Sequence, residues 1–202
     1  DQPLTRRGIL SSISSIYDPC GLGSPFLLKG RKILQEITAD KDGWDDPVPQ
    51  MHVSSWEKWR SELPRLESLS VKRCVKPDDF GVVVESSLHC FSDASFFGYG
   101  QATYLRQVDV DGQISVGLVM GKSRVSPLKS TTVPRLELTA AVLSSNIGAL
   151  VKSELAVQGL RDTYWIDNMV VLGYIHNESR RFRIFVANRT RKIREHTDKN
   201  QW

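Results

Sequence analysis

A chain of 202 residues, 40% hydrophobic and 25% charged, holds enough apolar side chain to bury a core and too much to be a disordered tail. No apolar run approaches the roughly 20 residues needed to cross a bilayer, and the opening DQPLTRRG lacks the apolar stretch of a secretory signal. The net charge of +4 admits a polyanionic partner without demanding one. Cys20, Cys74 and Cys90 form no Cys-x-x-Cys pair and share no zinc-like spacing with His52, His89, His176 or His196. Reduced thiols in an intracellular protein follow, with Cys90 packed in a core.

In chain order, Ile9, Ile13 and Ile16 form a helical stripe that DPCGLGSP interrupts, and Phe26, Leu27, Ile33, Leu34 and Ile37 mark a second helix. After the acidic, Pro-rich DKDGWDDPVP, Trp56, Trp59 and Leu63 give a third stripe that Pro64 stops or bends. Residues 1–70 therefore read as a small all-helical unit, residues 71–86, with KRCVKPDDFG, as a linker, and residues 87–202 as a second unit. There LHCFSDAS, GYGQATYL and ISVGLVMGKSRV read as three strands of an antiparallel meander. Leu136, Ala140, Leu143, Ile147 and Leu150 then mark a helix behind Pro134. TYWID reads as a short buried strand, MVVLGYIH as a short helix, and residues 181–194 as a last helix with Phe182, Phe185, Val186 and Ile193 on one face. This is an α/β order.

Three acids stand out. Asp93 and Asp167 each follow an apolar strand, and the carboxyl ends of strands are where α/β sheets build sites. Glu137 shares a helical stripe with Ala141, Ser144 and Gly148, small neighbours that permit close approach. Unpaired, such a cluster repels itself, and a pair of Mg²⁺ ions relieves that, with Mn²⁺ as an admissible substitute. Two such ions can hold an attacking water and a leaving oxygen in line on a phosphodiester. Plainer roles compete: Asp93 as a turn former, Glu137 as a partner of the helix dipole, and Asp167 as the cap of the helix that follows.

Arg180, Arg181, Arg183, Arg189, Arg191, Lys192 and Arg194 crowd the last helix, a density of like charge that suits phosphates better than bare solvent. Arg189 falls near the apolar stripe and is expected to be partly buried and paired. Lys122, Ser123, Arg124, Lys129, Ser130, Thr131 and Thr132 lead into Glu137 as a polar segment whose hydroxyls suit 2′-OH recognition.

The strings FSDASFFGYGQATYL, GKSRVSPLKSTTVPRLELTAAVL, YWIDNMVVLGYI and RFRIFVANRTRKIRE, in that order, resemble the ribonuclease H region of BEL/Pao-type LTR retrotransposon polyproteins. SSIYDPCGLGSPFLLKGRKILQEI with WDDPVP is similar to the segment that follows the polymerase palm there, which makes residues 1–70 thumb-like. The resemblance implies a ribonuclease H-like mixed five-stranded sheet with flanking helices, and two Mg²⁺ ions acting on the RNA strand of an RNA/DNA hybrid. It implies Asp93, Glu137 and Asp167 as three of four catalytic, metal-binding carboxylates. Ser95, Lys122, Arg124, Lys129, Thr131, Thr132, Asn168, Arg191 and Lys192 are the expected nucleic-acid contacts. Template–primer and an upstream polymerase domain are the implied partners, in a cytoplasmic particle or the nucleus, with no membrane. Asn168 departs from the usual Ser, and Cys20 from the leucine of the usual DPLG turn.

The fourth carboxylate is expected beyond Trp202, itself read as the start of the last strand, with Asp198 as a turn former. A weak or inactive fragment follows. The alternatives are a non-catalytic nucleic-acid-binding connection module, an aspartic peptidase, which needs Asp-Thr/Ser-Gly loops that Asp93-Ala94-Ser95 and Asp167-Asn168-Met169 lack, and an integrase-like nuclease, whose Glu comes last.

Overall fold

The computed structural model describes residues 3–39, 43–72 and 74–202. Three helices come first: α1 (Arg6–Ser14), α2 (Ser24–Ala39) and α3 (Gln50–Glu62), the last running into a 3₁₀ turn at Leu63–Ser68. The Thr5 hydroxyl caps α1 by accepting the Gly8 N–H at 3.1 Å. Pro64 has no N–H to continue α3. Ile9, Ile13, Leu27, Ile37, Trp56 and Trp59 close into one core, with Ile16, Phe26, Ile33, Leu34 and Leu63 at its margin. The expected stripes therefore face one another.

Four strands follow: β1 (Val83–Ala94), β2 (Gly98–Asp109), β3 (Ile114–Val125) and, after helix α4 (Val133–Leu155), β4 (Arg161–Trp165). Their order is β3-β2-β1-β4, with β1, β2 and β3 antiparallel and β4 parallel to β1. Strand β1 starts at Val83, paired with Asp109, so residues 83–86 belong to the sheet and not to the expected linker. The buried Asp109 carboxylate closes the β2–β3 turn by accepting the N–H groups of Gly81, Asp111 and Gln113 at 2.8–3.0 Å.

Helix α4 covers one face of the sheet. Leu143, Ile147 and Val151 meet Leu88, Cys90, Leu105, Leu160 and Tyr164 in the second core. Leu150 was expected on that face and instead stands 46% exposed. From Ile147 a helical stripe can step three or four residues, and the seating of α4 selects four. Gly148 lets α4 come close: a Cβ there would lie 2.5 Å from Tyr164 Oη and 3.0 Å from Cys90 Sγ. Helices α5 (Met169–His176) and α6 (Ile184–Arg194) close a third cluster of Leu138, Ala141, Val171, Ile175 and Ile193. Phe182 precedes α6 and packs edge-on against Tyr174 at 5.2 Å.

The described residues contain four strands of the expected mixed sheet, the last of its five strands having been expected to run beyond Trp202. Trp202 follows a 3₁₀ turn, Lys199–Gln201, stacks on Tyr164 at 4.8 Å and donates to Thr197 Oγ1 at 2.9 Å. Asp198 forms the capping box of that turn.

The helical unit is seated on the outer edge of β3. Gly121 N–H donates to Cys20 O at 2.8 Å, Ser123 Oγ to Ser24 O at 2.9 Å, and Gln35 Nε2 to Ser126 O at 2.8 Å. Gly21, at φ +73°, has no room for a side chain: a Cβ there would collide with Gly121 O. Cys20 contributes its carbonyl and exposes its side chain, so the departure from leucine leaves this seam intact. No helix among the described residues is long and apolar enough to cross a membrane.

Candidate metal centre and nucleic-acid interface

Strand register brings the two aspartates together. Phe91 pairs with Trp165 across parallel β1 and β4, and two residues further on Asp93 stands level with Asp167. Glu137 approaches from α4, beside Ala141 and Ser144, which are fully buried. One carboxylate oxygen from each of Asp93, Glu137 and Asp167 lies within 4.8 Å of the others. The aspartates are exposed and Glu137 is 6% exposed.

Burial pushes the Glu137 carboxyl above its ordinary pKa, opposed by a hydrogen bond from Asn168 and reinforced by the charges of Asp167 and Asp93. Its Oε2 is buried without a hydrogen-bond partner. A buried carboxylate oxygen with no donor is costly, and a divalent cation among three carboxylates removes both that cost and the mutual repulsion. The donor set fits such a hard cation: all oxygen, all carboxylate.

The geometry also bears on the plainer roles. Asn168, not Asp167, caps α5, its Oδ1 accepting from Val170 N–H at 2.9 Å and Val171 N–H at 3.2 Å. Glu137 sits in the second turn of α4 and is buried, so it does not complement the dipole at the helix start.

The other expected contacts lie on the β1–β2 turn, on β3, in the loop before α4 and on α6. Ser95 Oγ accepts from Phe97 N–H at 3.2 Å and donates to Gly98 O at 3.3 Å, fixing the β1–β2 turn. Lys122 and Arg124 are exposed on β3 itself, and Lys129 is exposed in the loop beyond. Thr131 Oγ1 donates to Lys129 O at 3.1 Å, while Thr132 holds the N-cap position of α4 without a side-chain cap. Arg191 and Lys192 are exposed on α6, with Arg191 3.7 Å from Glu195. Arg189 is structural: it lies 3.5 Å over the Phe185 ring and donates to Thr139 Oγ1 at 3.0 Å and Phe185 O at 3.3 Å. Burial lowers its pKa. Arg194, counted by sequence among the phosphate-facing residues, instead donates to Ile175 O at 2.9 Å and Asn177 O at 2.7 Å, closing the end of α5.

One feature escaped the sequence. A groove of about 710 Å³ is lined by Asp93 and Asp167 together with Phe91 and Trp165 of the sheet and Pro25 and Leu28 of α2. The strand alternation in LHCFSD, which puts Phe91 on the face of Asp93, was the available signal.

Among solved structures, the chain is similar to RNase H1 from the halophilic archaeon Halobacterium salinarum NRC-1, at 14% identity over 54% of this chain and 75% of that one, with a TM-score of 0.33. It is also similar to the foamy viral protease-reverse transcriptase dRH, solved in complex with double-stranded DNA. That match has 17% identity and a TM-score of 0.42, over 93% of this chain but only 32% of the viral one. No curated protein matches. The sequence itself is more decisive, since one family model runs unbroken from the first helix through all four strands to the third acid and its neighbour: over residues 5–168 the chain matches, and so belongs to, the Pao retrotransposon-like RNaseH-like domain family.

Proposed function

We propose that this chain is the ribonuclease H region of a Pao-type retrotransposon polyprotein, hydrolysing the RNA strand of an RNA/DNA hybrid with two divalent cations, Mg²⁺ or Mn²⁺, held by Asp93, Glu137 and Asp167. The observation that carries this reading is the meeting of three carboxylates from three separate elements within 4.8 Å, one with a buried oxygen that no donor satisfies. Bound there, the cations supply charge stabilisation at the phosphodiester and a water of lowered pKa. The protein's own part is placement. Asp93 and Asp167 face solvent and reach the substrate side, Glu137 forms the floor, and Asn168 orients Glu137 while capping α5.

Lys122, Arg124, Lys129, Arg191 and Lys192 hold phosphates, and Thr131 and Thr132 meet the 2′-OH side of the duplex. Ser95 acts by fixing the turn beside Asp93. If Arg191 and Lys192 each neutralise one phosphate, Arg191→Ala and Lys192→Ala will each flatten the log–log salt dependence of hybrid binding by about 0.9. An unchanged slope in fluorescence anisotropy would return both residues to the solvated surface.

A fourth carboxylate downstream of Trp202 completes the metal set in this reading. Extending the chain by about 30 residues, enough for a strand, a loop and a helix start, should raise Mg²⁺-dependent cleavage of a hybrid from weak or absent to robust. Hybrid binding without cleavage in the extended protein would favour a connection-type binding module. Full cleavage by the present chain, lost in Asp198→Asn, would place the fourth ligand at Asp198.

A further inference from the structure

The groove beside the carboxylates has the chemistry of a base-stacking site. Phe91 and Trp165 are 44% and 47% exposed, their rings 6.0 Å apart and within 13° of parallel. His89, two residues before Phe91 on β1, extends the array, 6.0 Å from Trp165 and at 24° to it. Trp165 Nε1 is already spent on His89 Nδ1 at 3.1 Å, and burial, followed by the nearby Arg106, holds the His89 pKa below its ordinary value, in keeping with a neutral acceptor. The indole therefore offers the groove only an apolar face. Opposite Asp93 and Phe91 on β2 stand Gly100 and Ala102, which keep the floor flat. Pro25 and Leu28 close the other wall, held there by the seam between Cys20–Gly21 and Gly121.

We propose that this groove takes an unpaired nucleotide, its base stacked on Phe91 and Trp165 while its backbone runs past Asp93 and Asp167. The inference rests on the nuclease reading above and adds a preference for a hybrid carrying a single-stranded extension. The occupant follows from continuity: Asp93 and Asp167 themselves line the groove, so whatever fills it shares that space with the phosphodiester of the proposed reaction. A base inside the duplex has both faces covered by its neighbours in the stack, whereas an unpaired one leaves a face free for the rings. With the indole N–H spent, these walls select stacking and not base identity.

The test compares binding of a blunt RNA/DNA hybrid, the same hybrid with a single-stranded extension of about 4 nucleotides on its RNA strand, the lower end of stacking-site sizes, and the extension alone. The extended hybrid should bind about tenfold more tightly than the blunt one at equal salt, the gain expected from stacking one base. Phe91→Leu and Trp165→Leu, which keep apolar bulk and remove the aromatic faces, should erase that gain and leave blunt-hybrid affinity unchanged. No gain from the extension, or a gain that survives both substitutions, overturns the proposal. So does a dimer in sedimentation that Trp165→Leu dissociates, because the rings then belong to a second copy. Binding of the extension alone, lost in both variants while hybrids fail to bind, would uphold stacking and reject the hybrid nuclease reading.

Discussion

On the proposed nuclease reading, Glu137→Gln, made in a chain extended to include the proposed fourth carboxylate, is expected to lower cleavage of an RNA/DNA hybrid by at least about 10³-fold, since metal-based charge stabilisation contributes several kcal/mol to such reactions. The same substitution should raise the metal-free melting temperature. Glu137 is buried, its Oε2 has no donor, and two like charges face it, so a neutral amide of the same shape relieves both desolvation and repulsion. Adding Mg²⁺ should stabilise the native protein, through preferential binding to the folded state, and leave Glu137→Gln unmoved. Loss of cleavage accompanied by a lower melting temperature would mean that Glu137 is a structural residue.

Trp59→Ala should be the most damaging single truncation to the fold, at about 3–5 kcal/mol, a large share of the stability of an ordinary domain. Trp59 is 3% exposed, stacks on Phe26 at 5.1 Å and Trp56 at 5.0 Å, and donates Nε1–H to Phe26 O at 3.0 Å. Gly30 lies flush against its ring, where a Cβ would come within 2.7 Å. Truncation leaves a large cavity that the three helices have no other side chain to fill, and removes the indole donor from the Phe26 carbonyl. Denaturant unfolding followed by tryptophan fluorescence would measure the loss. A cost below about 1 kcal/mol, within the range of ordinary surface changes, would show that the helical core does not depend on this stack.

Much of this was legible in the sequence because it is periodic. The isoleucine, leucine and tryptophan stripes of α1, α2 and α3, the meander and the crossover helix all follow from spacing, and Asp93 and Asp167 could be singled out because each follows an apolar strand, Glu137 because its helical stripe is made of small residues. The convergence of the acids depended on β4 lying parallel beside β1, which a βαβ crossover implies. Choices between equally good periods were not legible, as with Leu150 against Val151, and neither were positions where one residue serves two roles. Arg194 reads as one more phosphate ligand until the end of α5 comes within its reach. Trp202, apolar and terminal, reads equally well as the start of a strand or as a lid on Tyr164. The groove was the hardest to foresee, since Pro25 and Leu28 lie nearly seventy residues from Asp93 and arrive there through the seam that α2 and the turn before it make with β3.

The central claim is that Asp93, Glu137 and Asp167 form one divalent-cation site. Calorimetric titration of Mn²⁺ tests it without requiring catalysis. Saturable binding to the native chain, abolished by Asp93→Asn and by Asp167→Asn in proteins that remain folded by circular dichroism, is the expected result; heats no larger than dilution, or binding that survives both substitutions, would contradict it.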